Sequence, residues 1–500
     1  MTRRARPSAL VTDRKATQAL GARGAVATGH PLATAAAVDL LERGGNAVDA
    51  AVAAQAVCCV AMPHASGIGG DAVLLIREDA GATGVIGSGR SAASAGPGIA
   101  TTGGASVTVP GAVQAWVDAL DRWGSSDLAT CLAPAIALAE DGTRVSRSLT
   151  AAVSAQRDRL LVGGAAGWPL LSAAPGDRWL QPELAAALRA IASDGRRGFY
   201  DSPLSEAICA ASRRSGGLLS SDDLRSHASV VAVPIVVPWA GGGVSVQPPP
   251  SQGVLLAMAL QWLEREQADG RPLLESNDDH LGIEVTEAAF ASRDRCATEG
   301  ELLLGVPLIV NRDRAGRRGG PRAYLHTTGV AVADADGLVV SSLLSVFDDF
   351  GAATFVQQGG FVLNNRGAGF TGAPNHAGPA RRPVHTLAPV LYQRDGHTTA
   401  LATPGADGQV QTLLQVLLRT RRGTTLQDAV TAPRWRSEGA RVLVGLDHPA
   451  LPDLRARGHE VVPLDGADDR FGAVVAAGTG PQGCQAVGDW RREVSVGAAQ

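Results

Sequence analysis

The chain has 500 residues, of which 45% are hydrophobic, and its formal net charge is −3. This length and composition are typical of a well-buried globular protein with two domains or one large layered domain, and they exclude a disordered chain and a basic surface for nucleic acid. Lys15 is the only lysine among 45 basic residues and lies near the N-terminus, so P-loop phosphate binding and pyridoxal Schiff-base chemistry are excluded as well.

The cysteines and the N-terminus exclude further classes. The cysteines form no CxxC pair and no Cys/His cluster, so they predict neither a disulfide framework nor a structural zinc. The basic start of the chain lacks the apolar segment of a secretory signal, and the strongest apolar run, residues 47–62, is too short for a membrane span. We therefore expect a cytoplasmic protein with no metal, no cofactor and no membrane partner.

The first part of the chain predicts mainly helices. Residues 1–22 are polar and are expected to form a disordered N-terminal tail. Helical apolar spacing covers residues 32–43, and Asn46 can cap a second helix that is apolar on nearly every side and therefore central. The glycine-rich residues 63–71 then lead into a strand at 72–77. Their spacing is not that of a dinucleotide site, so we interpret them as a tight turn that lets two backbones approach closely.

The remaining pattern places strands between helical segments. Further helices are predicted at residues 110–123, 128–140, 204–214, 252–266 and 280–295, with strands at 230–237 and 243–247. The β-rich runs 330–333 and 338–347 are joined by an Asp-Gly hairpin signal. Strands at 360–363, 388–392 and 399–403 precede a helix that opens at 404–409. This order predicts an α+β protein in which helical layers enclose sheets.

Elimination leaves threonine as the best candidate nucleophile. No serine lies in a G-x-S-x-G elbow, no HExxH motif is present, and the ten histidines show no metal-ligand spacing. A cysteine nucleophile remains formally possible, although each cysteine lies in an apolar or helical context. A threonine needs an adjacent base, and its own terminal amine can serve. The pair Thr327-Thr328, at the head of an apolar strand after the Arg/Gly-rich residues 311–322, fits such a new N-terminus.

Ten short motifs in a fixed order carry a resemblance to a known family. They are residues 30–33 (HPLA), 44–53 (GGNAVDAAVA), 66–70 (SGIGG), 109–111 (VPG), 198–200 (GFY), 248–251 (PPPS), 327–328 (TT), 364–365 (NN), 382–383 (RP) and 432–434 (APR). Together they resemble the γ-glutamyltranspeptidase family of N-terminal nucleophile (Ntn) hydrolases over residues 24–492. The resemblance implies a four-layer αββα sandwich, the Ntn-hydrolase fold.

The resemblance also implies a proenzyme that cleaves its own chain between His326 and Thr327. Thr327 matches the nucleophile, with Asp334 as the acid seven residues on. Residues 23–326 would form a large subunit and 327–500 a small one, the two intertwined in one domain. We expect these subunits to form a heterodimer, which can assemble further, and to act on a small molecule.

Site roles follow from the same resemblance, residue by residue. Ser345 matches a hydroxyl residue that hydrogen-bonds the nucleophile, and Gly405 and Ala406 match the pair whose backbone N–H groups form the oxyanion hole. Arg90 matches the arginine that binds the substrate α-carboxylate. His385 and Thr386 occupy the place of a Ser-Ser pair with the same role.

The chain departs from the glutathione-cleaving pattern after Asn365. Residues 366–369 read Arg-Gly-Ala-Gly and lack the acid that binds the γ-glutamyl amino group. The segment resembles a shorter branch that includes oxamate amidohydrolases, in which Arg90 and Arg366 would suit a small carboxylate-bearing amide. Three alternatives remain: a γ-glutamyl hydrolase or transpeptidase acting on glutathione-like compounds, a C–C bond hydrolase of a natural-product pathway, and an uncleaved scaffold protein.

Overall fold

The computed structural model describes residues 17–271, 278–318 and 327–500. The described strands are β1 (Thr17–Gly21), β2 (Gly24–Thr28), β3 (Asp71–Glu78), β4 (Gly81–Ile86), β5 (Thr143–Arg144), β6 (Arg178–Trp179), β7 (Val230–Ala232), β8 (Ile235–Trp239), β9 (Gly242–Val246), β10 (Thr328–Asp334), β11 (Val339–Ser345), β12 (Phe355–Val356), β13 (Phe361–Val362), β14 (Val390–Arg394), β15 (His397–Ala402), β16 (Trp435–Glu438), β17 (Arg441–Gly445), β18 (Val461–Leu464), β19 (Val475–Gly480), β20 (Gly483–Gly488) and β21 (Ser495–Ala499). The described helices are α1 (Pro31–Glu42), α2 (Ala47–Ala61), α3 (Ala112–Trp123), α4 (Leu128–Asp141), α5 (Arg147–Val162), α6 (Pro182–Asp194), α7 (Arg196–Tyr200), α8 (Pro203–Arg214), α9 (Ser221–Arg225), α10 (Gly253–Ala268), α11 (Asp278–Phe290), α12 (Gly408–Arg421), α13 (Leu426–Thr431) and α14 (Leu451–Ala456).

Two antiparallel sheets of seven strands form the centre of the molecule. The first sheet has the order β21-β2-β10-β11-β3-β4-β7, and the second has the order β1-β20-β19-β15-β14-β9-β8. Both sheets combine strands from before and after Thr327. In the first sheet, for example, the hairpin β10–β11 lies between β2 and β3. Neither half of the chain therefore completes a sheet alone.

Alternate residues of β10 explain why the sheets are stacked between helices. Val330 and Val332 point to one face and pack in a core with α1–α4, whereas Ala331 and Ala333 point to the other face and pack against the second sheet. This period of two is the geometry of a strand buried on both faces. The outer face of the second sheet packs against α10, α11 and α12. The predicted α+β architecture, a four-layer αββα sandwich, is confirmed.

The central helix α2 follows the sequence prediction closely. The Asn46 side chain accepts hydrogen bonds from the N–H groups of Val48 and Asp49, and the Asp49 carboxylate accepts one from the Asn46 N–H in return. Every residue of the helix is buried, as its all-round apolar sequence indicates. Asp334 closes the β10–β11 hairpin and also accepts a hydrogen bond from the Ala47 N–H at 2.8 Å. The acid seven residues after Thr327 thus holds the start of α2.

Two predictions about chain ends and boundaries need correction. Residues 17–21, placed in the disordered tail of residues 1–22, form the edge strand β1, which pairs with β20. The predicted strand 230–237 is divided between the two sheets as β7 and β8. Pro234 separates the two parts, because proline cannot donate a ladder hydrogen bond. In the part of the chain that the structure describes, no helix is long and apolar enough to cross a membrane.

Candidate active site

A row of three polar side chains crosses the end of the first sheet. Ser345 is the last residue of β11 and pairs with Asp71, the first residue of β3. On the other side of β11, Thr328 pairs with Leu344, so the next position places Thr327 opposite Ser345. Residues opposite each other on neighbouring antiparallel strands point to the same face. Thr327, Ser345 and Asp71 therefore lie side by side, facing the second sheet.

Close backbone contact makes the Asp71 end of this row possible. A Cβ atom added to Gly70 would lie 2.4 Å from the carbonyl oxygen of Ser345, and one added to Gly69 would lie 2.1 Å from that of Val362. The glycine-rich residues 66–70 are thus a tight turn that brings two backbones together, as their sequence predicts.

The hydroxyl groups of Thr327 and Ser345 are hydrogen-bonded. Thr327 Oγ1 donates to Ser345 Oγ at 3.3 Å, and Ser345 Oγ also accepts from the Phe347 N–H at 2.9 Å. Both side chains are buried. Phe347 has a φ of 86°, a left-handed conformation that is strained for a bulky residue. This strained turn holds the Phe347 ring against the Arg366 guanidinium.

The loop after β15 carries Gly405 and Ala406, the residues predicted to form the oxyanion hole. Gly405 and Ala406 have φ values of 123° and 48°, so the chain turns sharply here. The Gly405 carbonyl accepts from the Gly408 N–H at 2.8 Å, and because a trans peptide places its C=O and N–H on opposite sides, the Ala406 N–H points away from that bond. The Ala406 carbonyl accepts from Gln252 Nε2 at 2.9 Å. These bonds fix the orientation of two consecutive peptide planes.

Thr327 also lines a cavity of about 220 Å³. Pro404, directly before the Gly405-Ala406 turn, contributes to the same wall, and so do Gly29, His64 and Arg492. The candidate nucleophile and the residue that precedes the turn therefore line the same cavity.

A buried ion pair extends the polar row beyond Asp71. Arg366 Nε donates to Asp71 Oδ2 at 2.9 Å, and both side chains are fully buried. His385 Nδ1 accepts from the Leu387 N–H at 3.2 Å, so the ring carries its proton on Nε2, which lies 3.4 Å from the same Asp71 oxygen. Burial opposes ionisation of Asp71, but His385 and Arg366 outweigh it and lower the pKa of this carboxyl. Asp71 is therefore a charged residue held by two side-chain donors.

One N–H donor group of Arg366 is not used within the described residues. Its Nη1 contacts Thr386 Oγ1 at 3.3 Å, and its guanidinium carbon lies 4.5 Å from the centre of the Phe347 ring. Its Nη2 is buried and has no hydrogen-bond partner among the residues that the structure describes. A buried, unsatisfied guanidinium nitrogen is costly unless a ligand completes it. The structure thus brings Arg366, His385 and Thr386 together, and their role in substrate binding stays a prediction.

Arg90 lies apart from this group. Its side chain is exposed, its Nη1 donates to the Ala380 carbonyl at 3.0 Å, and it lines a separate cavity of about 280 Å³ with Arg382 and His227. The Gly89 N–H nevertheless lies 3.4 Å from Asp71 Oδ1, so the backbone before Arg90 reaches the polar row. The other half of the predicted cleavage site, His326, lies outside the described residues.

Comparisons with known proteins identify the family of the chain. The family model described as gamma-glutamyltranspeptidase matches residues 33–312 and 311–499, nearly the whole chain. The chain belongs to the γ-glutamyltranspeptidase family. Oxamate amidohydrolase proenzyme from Klebsiella pneumoniae subsp. pneumoniae is 32% identical over 91% of this chain and 94% of its own length. A glutathione hydrolase-like proenzyme from Bacillus subtilis is 30% identical over 91% and 94%.

Solved structures extend the comparison to the fold. The crystal structure of cephalosporin acylase from Bacillus halodurans superposes with a TM-score of 0.86 at 28% identity, covering 99% of each chain. The resemblance predicted from the short motifs is confirmed, and this γ-glutamyltranspeptidase family member is an enzyme of the hydrolase type.

Asp71 is the site residue that sequence reasoning missed. The segment 366–369 of this family member has no acid, but β3 brings a carboxylate to Arg366 from 295 positions away. The available signal was its position at the end of the glycine turn and the start of a strand. That position indicates that a strand begins near the site, but it does not predict that this strand pairs with β11.

Buried histidines predict a loss of stability in acid. Burial lowers the pKa of five histidines to about 4: His30, His64, His227, His385 and His459. Between pH 6.5 and 4 the unfolded chain binds protons that the folded chain does not, so stability is complete above pH 6.5 and falls as the pH is lowered. We expect the thermal midpoint to drop between pH 7 and pH 5.

A pair of variants tests this assignment. His227→Gln removes one buried histidine and is expected to flatten the pH dependence of the midpoint, whereas replacing the exposed His376 by alanine leaves it unchanged. A midpoint that does not move between pH 7 and pH 5 in the unaltered protein contradicts the prediction.

Proposed function

We propose that this enzyme is a self-cleaving Ntn hydrolase that uses Thr327 to hydrolyse a small amide bearing a carboxylate. The observation that carries the proposal is the hydroxyl pair, Thr327 Oγ1 against Ser345 Oγ, at the head of the buried strand β10. Cleavage between His326 and Thr327 gives the threonine a free α-amino group. Nucleophile and base then belong to one residue.

The proposed reaction proceeds through an acyl-enzyme. The Thr327 α-amino group accepts the Oγ1 proton as Oγ1 attacks the amide carbonyl. Backbone N–H groups at Gly405 and Ala406 stabilise the negative oxygen of the tetrahedral intermediate. Such stabilisation is usually the largest single contribution to the rate in sites of this kind. The same amino group donates its proton to the leaving nitrogen. Water then hydrolyses the ester and regenerates Thr327.

Arg366 supports the choice of an anionic substrate. Its Nη2 has no partner within the described ranges of the chain, and a substrate carboxylate would complete it with a charge-assisted hydrogen bond. The hydroxyl of Thr386 lies beside the same guanidinium. Oxamate, in which the carboxylate adjoins the amide carbonyl, has the required size and charge, and it agrees with the name of the Klebsiella relative.

A γ-glutamyl substrate is the second candidate, because the Bacillus subtilis relative is described as glutathione hydrolase-like. Such a substrate carries an α-ammonium group that needs a carboxylate partner. Asp71 is the carboxylate in the polar row, and Arg366 already neutralises it. A buried ammonium without a partner costs several kcal/mol, so anionic amides are favoured.

Substrate comparison separates the two candidates. Ammonia release from oxamate is measured beside p-nitroaniline release from γ-glutamyl-p-nitroanilide, with Thr327→Ala as the blank for both. We expect kcat/KM for oxamate to exceed that for the γ-glutamyl compound by at least about 100-fold. Faster turnover of the γ-glutamyl compound contradicts the proposed substrate class, and an intact, inactive chain would favour the scaffold alternative.

Ser345 is expected to assist both self-cleavage and turnover. Ser345→Ala removes the acceptor of the Thr327 hydroxyl and leaves the buried Phe347 N–H without its side-chain acceptor, so both rates should fall about 10- to 100-fold. Denaturing electrophoresis over time measures cleavage, and ammonia release measures turnover. Ser345→Thr keeps the hydroxyl and serves as the control. Cleavage of the alanine variant at the unaltered rate would rule out this role.

A further inference from the structure

Two histidines and a glutamate form a second cluster, away from the polar row of Thr327, Ser345 and Asp71. The cluster lies where helix α11 meets the turn after α14. His280 and Glu284 are one helical turn apart on α11 and therefore share a face. His459 follows α14 and completes the group. All three side chains are buried, and one donor atom from each lies within 4.8 Å of the others. The backbone segment 311–316 covers the cluster from the other side.

Outer hydrogen bonds orient two of these side chains. His280 Nε2 lies 3.0 Å from the Asn311 carbonyl oxygen, so this nitrogen carries the proton and leaves the Nδ1 lone pair directed at His459. One oxygen of Glu284 accepts from the Gly316 N–H at 2.7 Å. Metal-binding histidines characteristically donate their second nitrogen to a backbone carbonyl, and metal-binding carboxylates are likewise held by outer donors.

The two imidazoles face each other with their ring nitrogens at 2.8 Å, His280 Nδ1 against His459 Nε2. A single proton on His459 Nε2 accounts for this contact in the metal-free protein. A cation can replace that proton when His459 carries its hydrogen on Nδ1 instead. The chain would then present two neutral nitrogens and one carboxylate oxygen to the same point.

We propose that His280, Glu284 and His459 form a binding site for a divalent transition-metal cation of the zinc type. Two histidines and one carboxylate are an established zinc ligand set that leaves one coordination position for water. Imidazole nitrogen selects zinc-like cations over calcium or magnesium, which prefer oxygen ligands. The site is separate from the proposed nucleophile and does not depend on the proposed function.

The neighbouring charges permit a cation at this place. Arg457 is paired with Asp453 at 2.7 Å, and Arg318 lies 3.4 Å from Glu284. Glu287, on the next turn of α11, adds a carboxyl whose pKa burial raises to about 7, so a nearby cation would favour its ionised form. The Glu284 carboxylate lies beside the Arg318 guanidinium, and Glu287 would add a second negative charge when it ionises beside a bound cation.

A bound cation would fasten three parts of the fold together. It would join α11 to the turn at His459, and through the outer bonds to Asn311 and Gly316 it would hold the segment that precedes the proposed cleavage site. Binding to the folded but not the unfolded chain raises stability with ligand concentration. The thermal midpoint is therefore expected to rise when zinc is added and to fall when it is removed.

The full-length protein is stripped with a chelator, exchanged into metal-free buffer and titrated with Zn²⁺. We expect about one tightly bound Zn²⁺ per chain by elemental mass spectrometry, and visible absorption bands of a four-coordinate ion when Co²⁺ is used instead. His459→Ala is expected to weaken Zn²⁺ binding at least about 100-fold, since a direct ligand should matter no less than an outer partner.

Two further variants keep the result interpretable. His459→Asn can still hydrogen-bond but removes the imidazole, so it should fold and lose the metal. His376→Ala removes an exposed histidine and should bind as the unaltered protein does. Absence of bound Zn²⁺ and of Co²⁺ absorption in the unaltered protein would overturn the proposal even if no variant folds, and so would undiminished binding by the His459 variants.

Discussion

Replacing Thr327 with alanine is expected to leave the chain as a single band near 51.0 kDa and to abolish amide hydrolysis. In the proposed mechanism the same Oγ1 attacks first the preceding peptide bond and then the substrate, so one substitution removes both reactions. A fall of about 10⁴- to 10⁶-fold in kcat is expected, in the range seen when a hydrolase loses its nucleophile. Denaturing electrophoresis and ammonia release measure the two effects.

The neighbouring residue provides a matched control. Thr328 begins β10 and points to the opposite face, where its Oγ1 lies 3.9 Å from the Met62 sulfur. Thr328→Ala should therefore still cleave and turn over substrate. Loss of cleavage in Thr328→Ala with retention in Thr327→Ala would move the nucleophile to the second threonine.

Replacing Arg366 with methionine is expected to damage stability and substrate binding together. Methionine keeps an unbranched side chain against Phe347 but leaves the Asp71 carboxylate buried without its cationic partner. Breaking a buried ion pair on one side costs about 3–5 kcal/mol in the free energy of unfolding. The KM for an anionic amide should rise as well, because the orphan Nη2 donor is lost. Chemical denaturation and steady-state kinetics measure these two results.

A double variant separates the stability effect from the binding effect. Arg366→Met combined with Asp71→Asn removes both charges, so it should recover about 2 kcal/mol or more of the lost stability while KM remains high. Simple addition of the two single effects on stability would show that the pair is not coupled.

Arg90 offers the control on the binding side. It is exposed, so Arg90→Met should change the free energy of unfolding by no more than about 0.5 kcal/mol. If KM for the anionic amide rises in Arg90→Met and not in Arg366→Met, the carboxylate is bound by Arg90, as the family pattern predicts, and the role proposed for Arg366 is wrong.

Local sequence signals were sufficient for much of the fold. The Asp-Gly turn sets the β10–β11 hairpin, and its register in turn places Thr327 opposite Ser345, so that contact follows from short-range information. The Asn46 cap and the all-round apolar sequence of α2 likewise predict a buried central helix. Each of these features depends on residues close together in the chain.

Long-range pairing was beyond the same signals. Asp71 lies beside Ser345 because β3 pairs with β11, and its carboxylate accepts a hydrogen bond from Arg366, 295 positions away. Neither contact can be predicted from the spacing of apolar residues. The polar composition of residues 1–22 predicts a disordered tail, but residues 17–21 form strand β1. This strand lies at the edge of a sheet, where its residues are largely exposed and carry little apolar signal. Arg90 is exposed and bonds to the Ala380 carbonyl, 290 positions away, a long-range contact that residue type alone cannot predict.

Determining the N-terminal sequence of the smaller fragment is the most direct test of self-cleavage between His326 and Thr327. The purified protein is separated under denaturing conditions, and each band is sequenced from its N-terminus. We expect a fragment that begins Thr327-Thr328-Gly329 and ends at residue 500, beside a larger fragment whose C-terminal residue is His326. A small fragment that begins at Thr328 or at any other residue, or a chain that stays intact while it hydrolyses its substrate, would contradict this expectation.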